Sequence, residues 1–232
     1  MRDKTIKSSL LEDKGFNEMV HDLRTRGCPV CNHLIQTTFD FFSHWINSFS
    51  NNKEVQEEFA DELGFCPFHT WQLYRIASPQ GISKGYPKLL KRFSTELSEL
   101  ARTLTNLPDK VFALIKDSEG CRVCFLWRDA EAAYIQRLSL FLQEVQGRRA
   151  YADSQGVCLR HLGFLIATVS SSDITQFLLS EATRHFEQIA RDMQNYVLKR
   201  NSLRRDLINE DEKDAYLRAL NHIAGDRNGC TT

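Results

Sequence analysis

Cys28, Cys31, Cys66 and His69 recur as Cys121, Cys124, Cys158 and His161, in the same order and 92 to 93 positions later. The gaps are three, 35 and three in the first set and three, 34 and three in the second. Three thiolates and one imidazole satisfy a tetrahedral ion such as zinc, and ligands three residues apart can grip one ion from a single turn of chain. The chemistry implied is metal ligation, with zinc the first choice. An iron–sulfur cluster with three cysteines and one histidine is a second choice, because soft sulfur ligands suit it too, and metal-free redox thiols are a third.

The surroundings of the ligands repeat as well. Gly27 and Val30 answer to Gly120 and Val123, and Gly64 before Cys66 answers to Gly156 before Cys158. These matches predict an internal duplication after an N-terminal segment, 1–22. Residues 23–108 form the first copy and 109–232 the second, meeting at a seam over Leu107 to Lys110 around Pro108. Each copy is expected to close one Cys3His site from its own residues, for two zinc ions per chain. The short seam and shared helical stripes predict one merged, pseudo-twofold body.

The elements that must position these ligands read as helices throughout, giving an all-α fold class. From Asn32 to Phe49, Leu34, Ile35, Phe39, Phe41, Phe42, Trp45, Ile46 and Phe49 recur at spacings of three and four. Lys53 to Leu63 is a short polar helix with Val55, Phe59 and Leu63 on one stripe, capped by Gly64. An outgoing helix of about 27 Å, a return of about 16 Å and about 10 Å of extended chain predict a hairpin that closes near its origin. That hairpin would set Cys66 and His69 beside Cys28 and Cys31, with both pairs at helix starts, where N–H groups and the dipole favour thiolate. Longer helices follow at Tyr86 to Leu107 and Asp173 to Leu198, and Glu210 to Ile223 forms a last one closed by Gly225.

In its CPVC, LGFCPFH, GCRVC and GVCLRH segments the chain resembles an uncharacterised prokaryotic family of helical proteins with tandem CxxC and GFCxxH motifs, a domain of unknown function. The resemblance runs from about Gly27 to Gly225. It implies metal ligation by Cys28, Cys31, Cys66, His69, Cys121, Cys124, Cys158 and His161 and brings no activity with it. The second copy departs from the GFC pattern, with Val157 where the first has Phe65.

Composition bounds the rest. The 232 residues are 42% hydrophobic, enough for a sizeable core, and 30 basic residues balance 30 acidic ones. No net field draws the chain to nucleic acid or an anionic membrane. Met1 to Gly15 lacks the apolar core of a signal peptide and no 18-residue apolar run occurs, so a cytoplasmic location is expected. Seven cysteines there argue for reduced thiols and against a disulfide framework. Six of them belong to the two sites, and Cys230 in the polar tail is incidental.

Other candidates take a plainer reading. His33, His44, His185 and His222 sit in helical patterns, and four ligands already complete a zinc site without His33. Glu57, Glu58, Asp61 and Glu62 read as a solvated helix face, and Lys199, Arg200, Arg204 and Arg205 as half of a charge pattern completed by Glu210, Asp211 and Glu212. Gly81 to Gly85 lacks the spacing of a phosphate loop. Aromatics from Phe39 to Phe49, with Phe65, Phe68 and Trp71, and from Phe125 to Phe164 in the second copy, are expected to pack as a dry shell around each metal.

Three function classes follow. The first is a zinc-stabilised scaffold that binds another protein, with no catalytic activity of its own, because a closed four-ligand site leaves no position for water. The second is an iron–sulfur redox or sensor protein. The third is a zinc-dependent nucleic-acid-binding regulator, disfavoured by neutral charge.

Overall fold

A computed structural model describes residues 15–200 and 204–226. Most of the N-terminal segment, Asn201 to Leu203 of the basic cluster and Cys230 lie outside the described residues. Within them every regular element is helical, and there is no strand. A helix over residues 15–24 (α1) precedes α2 (Pro29–Asn51), α3 (Lys53–Asp61), α4 (Pro67–Ile76), α5 (Pro79–Gly85), α6 (Pro87–Thr103) and α7 (Leu107–Phe112). Then come α8 (Arg122–Phe141), α9 (Val145–Ala152), α10 (Leu159–Thr168), α11 (Ser172–Arg200), a 3-10 turn over Arg205–Leu207 and α12 (Glu210–Ala224).

Local chemistry starts and stops these helices. Asn52 caps α3, its side-chain oxygen accepting from the N–H groups of Glu54 and Val55 at 2.8 and 3.3 Å. At the other end Leu63, rather than the expected Gly64, takes the left-handed cap position at φ 61°. The Leu63 N–H donates to Ala60 at 3.1 Å and the Gly64 N–H to Phe59 at 2.8 Å, the paired bonds of a Schellman motif. Gly64 follows with φ 76° and turns the chain toward Cys66, as Gly156 does before Cys158 with φ 72°. The seam region proves to be helical: α6 ends at Leu104 (φ 51°), and Asn106 (φ 49°) leads into α7 with Pro108 in its first turn. Asn209 and Glu212 open α12 with reciprocal side-chain bonds, a capping box.

The chain divides into two compact units. The first runs up to Leu34 and resumes at Glu131; the second is Ile35–Ala130. The core of the second is aromatic. Phe49 lies against Trp45 (ring centroids 4.2 Å apart), Phe59 (4.9 Å) and Tyr86 (5.9 Å), and Phe65 packs edge-on to Phe42 (5.6 Å) and Phe59 (5.1 Å). Gly85 is required here, since a Cβ on it would stand 2.0 Å from the Phe49 ring. On the surface of this unit, Glu57 and Asp61 pair with Lys88 and Arg92 of α6, while Glu58 and Glu62 both engage Arg122.

In the first unit, Tyr134, Leu138, Leu142, Tyr151, Leu165 and Leu178 are fully buried. α11 packs on α12, where buried Asp192 receives Arg218 at 2.7 Å and Lys199 reaches buried Glu212 at 2.6 Å. Lys199 thus spends its charge inside the fold, and Arg200 donates to the Tyr196 hydroxyl at 2.9 Å. The expectation of an intramolecular charge pattern holds for Lys199, whereas Arg200 lies against the neutral Tyr196 side chain.

Candidate metal centres

All four ligand pairs share one local design. Cys66 and Cys158 are the N-cap residues of α4 and α10, and Cys28 and Cys121 immediately precede α2 and α8. In each case the carbonyl of the first ligand accepts the first helical hydrogen bond, from Asn32, Thr70, Phe125 and Leu162 at 2.8–3.0 Å. The second ligand of each pair then falls in the first turn, on the same side as the first. The expectation that the pairs sit at helix starts is met at all four places, where unpaired N–H groups favour negative sulfur.

How the pairs meet differs from the sequence expectation. Cys28 and Cys31 join Cys158 and His161, whereas Cys66 and His69 join Cys121 and Cys124. The quartets are therefore exchanged between the two sequence copies, and neither copy closes a site from its own residues. The reason is arithmetic along the chain. α2 has 23 residues and α3 has nine, so the return arm recovers about 14 Å of an outgoing run of about 34 Å. Phe65, next to Cys66, accordingly packs on Phe42, about 20 Å along α2 from Cys28. Each quartet lies within one compact unit, the Cys28 set in the first and the Cys66 set in the second.

Within each quartet the donor atoms all lie within 4.8 Å of one another. His161 Nδ1 is 3.2, 3.5 and 3.1 Å from the sulfurs of Cys28, Cys31 and Cys158, and Cys31 and Cys158 are 3.9 Å apart. His69 Nδ1 is 3.2, 3.6 and 3.2 Å from Cys66, Cys121 and Cys124, with Cys66 and Cys124 3.7 Å apart. A tetrahedral zinc ion with bonds of about 2.3 Å to sulfur and about 2.0 Å to nitrogen sets S···S edges of about 3.8 Å and S···N edges of about 3.5 Å. The S···S distances of 3.9 and 3.7 Å match the first figure and are far beyond disulfide length, while the S···N distances run from 3.1 to 3.6 Å, at or slightly inside the second. Both histidines present Nδ1, which leaves Nε2 as the outer nitrogen.

The thiols interact strongly. Hydrogen bonding from Cys66 and His69 pulls Cys121 down to about 3, against the effect of burial. The same bond to Cys121, together with burial, pushes Cys66 far up, and burial pushes Cys124 up to about 11. In the first quartet burial drives Cys28 up to about 12. Without a cation, three adjacent sulfurs cannot all carry charge, so protons take the place of a metal.

Across residues 27–229 the chain matches the sequence profile of DUF6062, described as a family of unknown function. It belongs to that family. No curated protein and no solved structure matches this DUF6062 chain.

Several partners in the DUF6062 chain were not anticipated from its sequence. His161 Nε2 bonds Glu131 at 2.9 Å, and Arg160 grips the same carboxylate at 3.1 and 3.3 Å. Burial works against the Glu131 charge, yet the bonds from His161 and Arg160 hold its carboxyl below the usual range. Trp127 lies edge-on to His69, centroids 5.3 Å apart, and its N–H donates to buried Thr38. Gln155 accepts from the Gly27 N–H at 2.8 Å, tying the approach to Cys28 to the approach to Cys158. No local signal marks Glu131 or Gln155, since each is a single polar residue among many.

The dry aromatic shell is partial. Phe42, Phe49 and Phe65 are buried as expected, while Phe39, Trp71, Phe125 and Phe164 face solvent. His33 stands outside both quartets, its ring 4.9 Å from Tyr134, and His44 bonds the Asp40 carbonyl on the surface of α2. No described helix is long and apolar enough to cross a membrane.

Proposed function

We propose that this chain is a zinc-stabilised helical scaffold, built from a duplicated unit whose ligand pairs have exchanged, that serves as a protein-interaction or regulatory module without catalysis of its own. The observation that carries the reading is the edge lengths of the two quartets. They fit one tetrahedral ion each and use all four positions, leaving none for a water or substrate. A cluster of several iron atoms spreads its sulfur ligands further apart than a single ion does, which favours zinc over the iron–sulfur alternative.

Interaction with a protein is supported by apolar side chains that the fold leaves outside. On α6, Leu90 and Leu97 are 59% and 46% exposed at a seven-residue spacing, its C-cap Leu104 is 71% exposed, and Trp71 and Phe112 of the same unit are 67% and 68% exposed. A nucleic-acid-binding role has less support, since the basic residues Lys199, Arg122 and Arg218 are engaged with carboxylates.

Metal and sulfide analysis of anaerobically purified protein tests the reading. About two zinc ions per chain in a colourless sample is the expected result. Iron with acid-labile sulfide would replace it with the cluster alternative, and a folded metal-free chain that takes up no zinc would overturn it.

A further inference from the structure

The two quartets have the same donors but different surroundings, and the difference falls on the outer nitrogen of each histidine. A neutral imidazole that binds metal through Nδ1 must carry its proton on Nε2. At His161 that N–H meets the Glu131 carboxylate at 2.9 Å, itself held by Arg160. At His69, Nε2 is buried and has no hydrogen-bond partner; its neighbours include the edge-on ring of Trp127. The metal-bound tautomer is thus supported in one centre and leaves a stranded donor in the other.

Access differs in the same direction. Cys28, Cys31, Cys158 and His161 are all buried, whereas Cys124 is partly open to solvent. A competing chelator therefore has a more open sulfur to approach in one quartet, whereas in the other only Cys28, 6% exposed, borders a surface cavity. Arg128, close enough to Cys124 to favour its thiolate, acts the other way, but from outside the ligand shell. Loss of an outer carboxylate on a ligating histidine costs about 10–100-fold in metal affinity.

We propose that the centre formed by Cys66, His69, Cys121 and Cys124 is the exchangeable one, giving up its ion while the Cys28, Cys31, Cys158 and His161 centre keeps its own, so that metal supply regulates the second unit alone. The inference rests on the zinc reading and adds a division of labour to it. The first centre is a permanent fastening of the first unit. The second couples the order of Ile35–Ala130, including the apolar surface of α6, to zinc availability.

The test uses the full chain loaded with zinc and its content measured first. EDTA is added, released zinc is followed with a chromophoric indicator, and iodoacetamide pulses are mapped by peptide mass spectrometry. The expected release has two phases separated by about 10-fold or more. Cys66, Cys121 and Cys124 should be alkylated in the first phase, with Cys28, Cys31 and Cys158 protected until the second. Glu131→Leu should speed the slow phase by about 10–100-fold, and Glu131→Gln, which keeps an acceptor, should fall between it and the parent. A single phase, or first alkylation in the Cys28 quartet, overturns the inference while leaving the zinc reading intact. A chain that never takes up zinc defeats that reading itself.

Discussion

Filling the second quartet should release about two protons at neutral pH, and the number follows from how its three thiols share charge. Cys121 is held down to about 3 by its bonds from Cys66 and His69, so it is already a thiolate at pH 7. Cys66 is pushed far up by its bond to Cys121 and by burial, and Cys124 up to about 11 by burial, so both keep their protons. A zinc ion bound by three thiolates must displace those two. Apparent affinity should then change about 100-fold per pH unit near neutrality, about 2.7 kcal/mol, weakening as pH falls because protons compete for sulfur. Titration calorimetry of partly stripped protein, in buffers of different ionisation enthalpy at pH 7, measures the count. Release near zero would show that all three sulfurs ionise without metal. Release near three would show that the empty quartet loses its shape and its thiols revert to ordinary behaviour. Either result refutes the charge-sharing described for this site.

Further outcomes follow from the packing. Gly85→Ala would drive a methyl into the Phe49 ring, which is locked between Trp45, Phe59 and Tyr86, and should cost about 1–3 kcal/mol in denaturant unfolding; an unchanged midpoint would show that α5 yields freely. Asn209→Ala removes the cap of α12 and should cost about 1 kcal/mol by the same assay, where no change would mean the capping box adds nothing. Burial, with Arg184 beside it, pulls His185 down to about 4, so the unfolded chain takes up a proton near pH 6.5 that the folded chain refuses. Stability should therefore be present above pH 6.5 and lost as pH falls toward 4, and the thermal midpoint of the parent should drop more between pH 7 and pH 5 than that of His185→Gln. Equal drops would sink the assignment.

The eight donors were legible in the sequence because CxxC and CxxH spacings state their chemistry directly, and the helices because apolar residues keep a period near 3.6 over long stretches. The partnership of the donors was not legible. Either CxxC with either CxxH gives three cysteines and a histidine, so ligand types are blind to the exchange. Helix lengths decide it, and they are sensitive at the ends: α2 starts at Pro29 and runs to Asn51, longer than the apolar stripe from Asn32 to Phe49, while α3 stops at Asp61 because Leu63 and Gly64 turn left-handed. The few residues gained by one helix and lost by the other stop the hairpin short of its origin. α5 was hidden by Gly81 and Gly85, which suggest a loop, although Ser78 and Pro79 mark a helix start. Glu131 was invisible because its role depends on a histidine thirty residues away in sequence.

The exchanged pairing of Cys66 and His69 with Cys121 and Cys124 can be read out in a Cys66→Ser variant. In the zinc-loaded variant, alkylation should reach Cys121 and Cys124 while Cys28, Cys31 and Cys158 stay protected and about one zinc per chain remains. Alkylation of Cys28 and Cys31 instead, with Cys121, Cys124 and Cys158 protected, would contradict it.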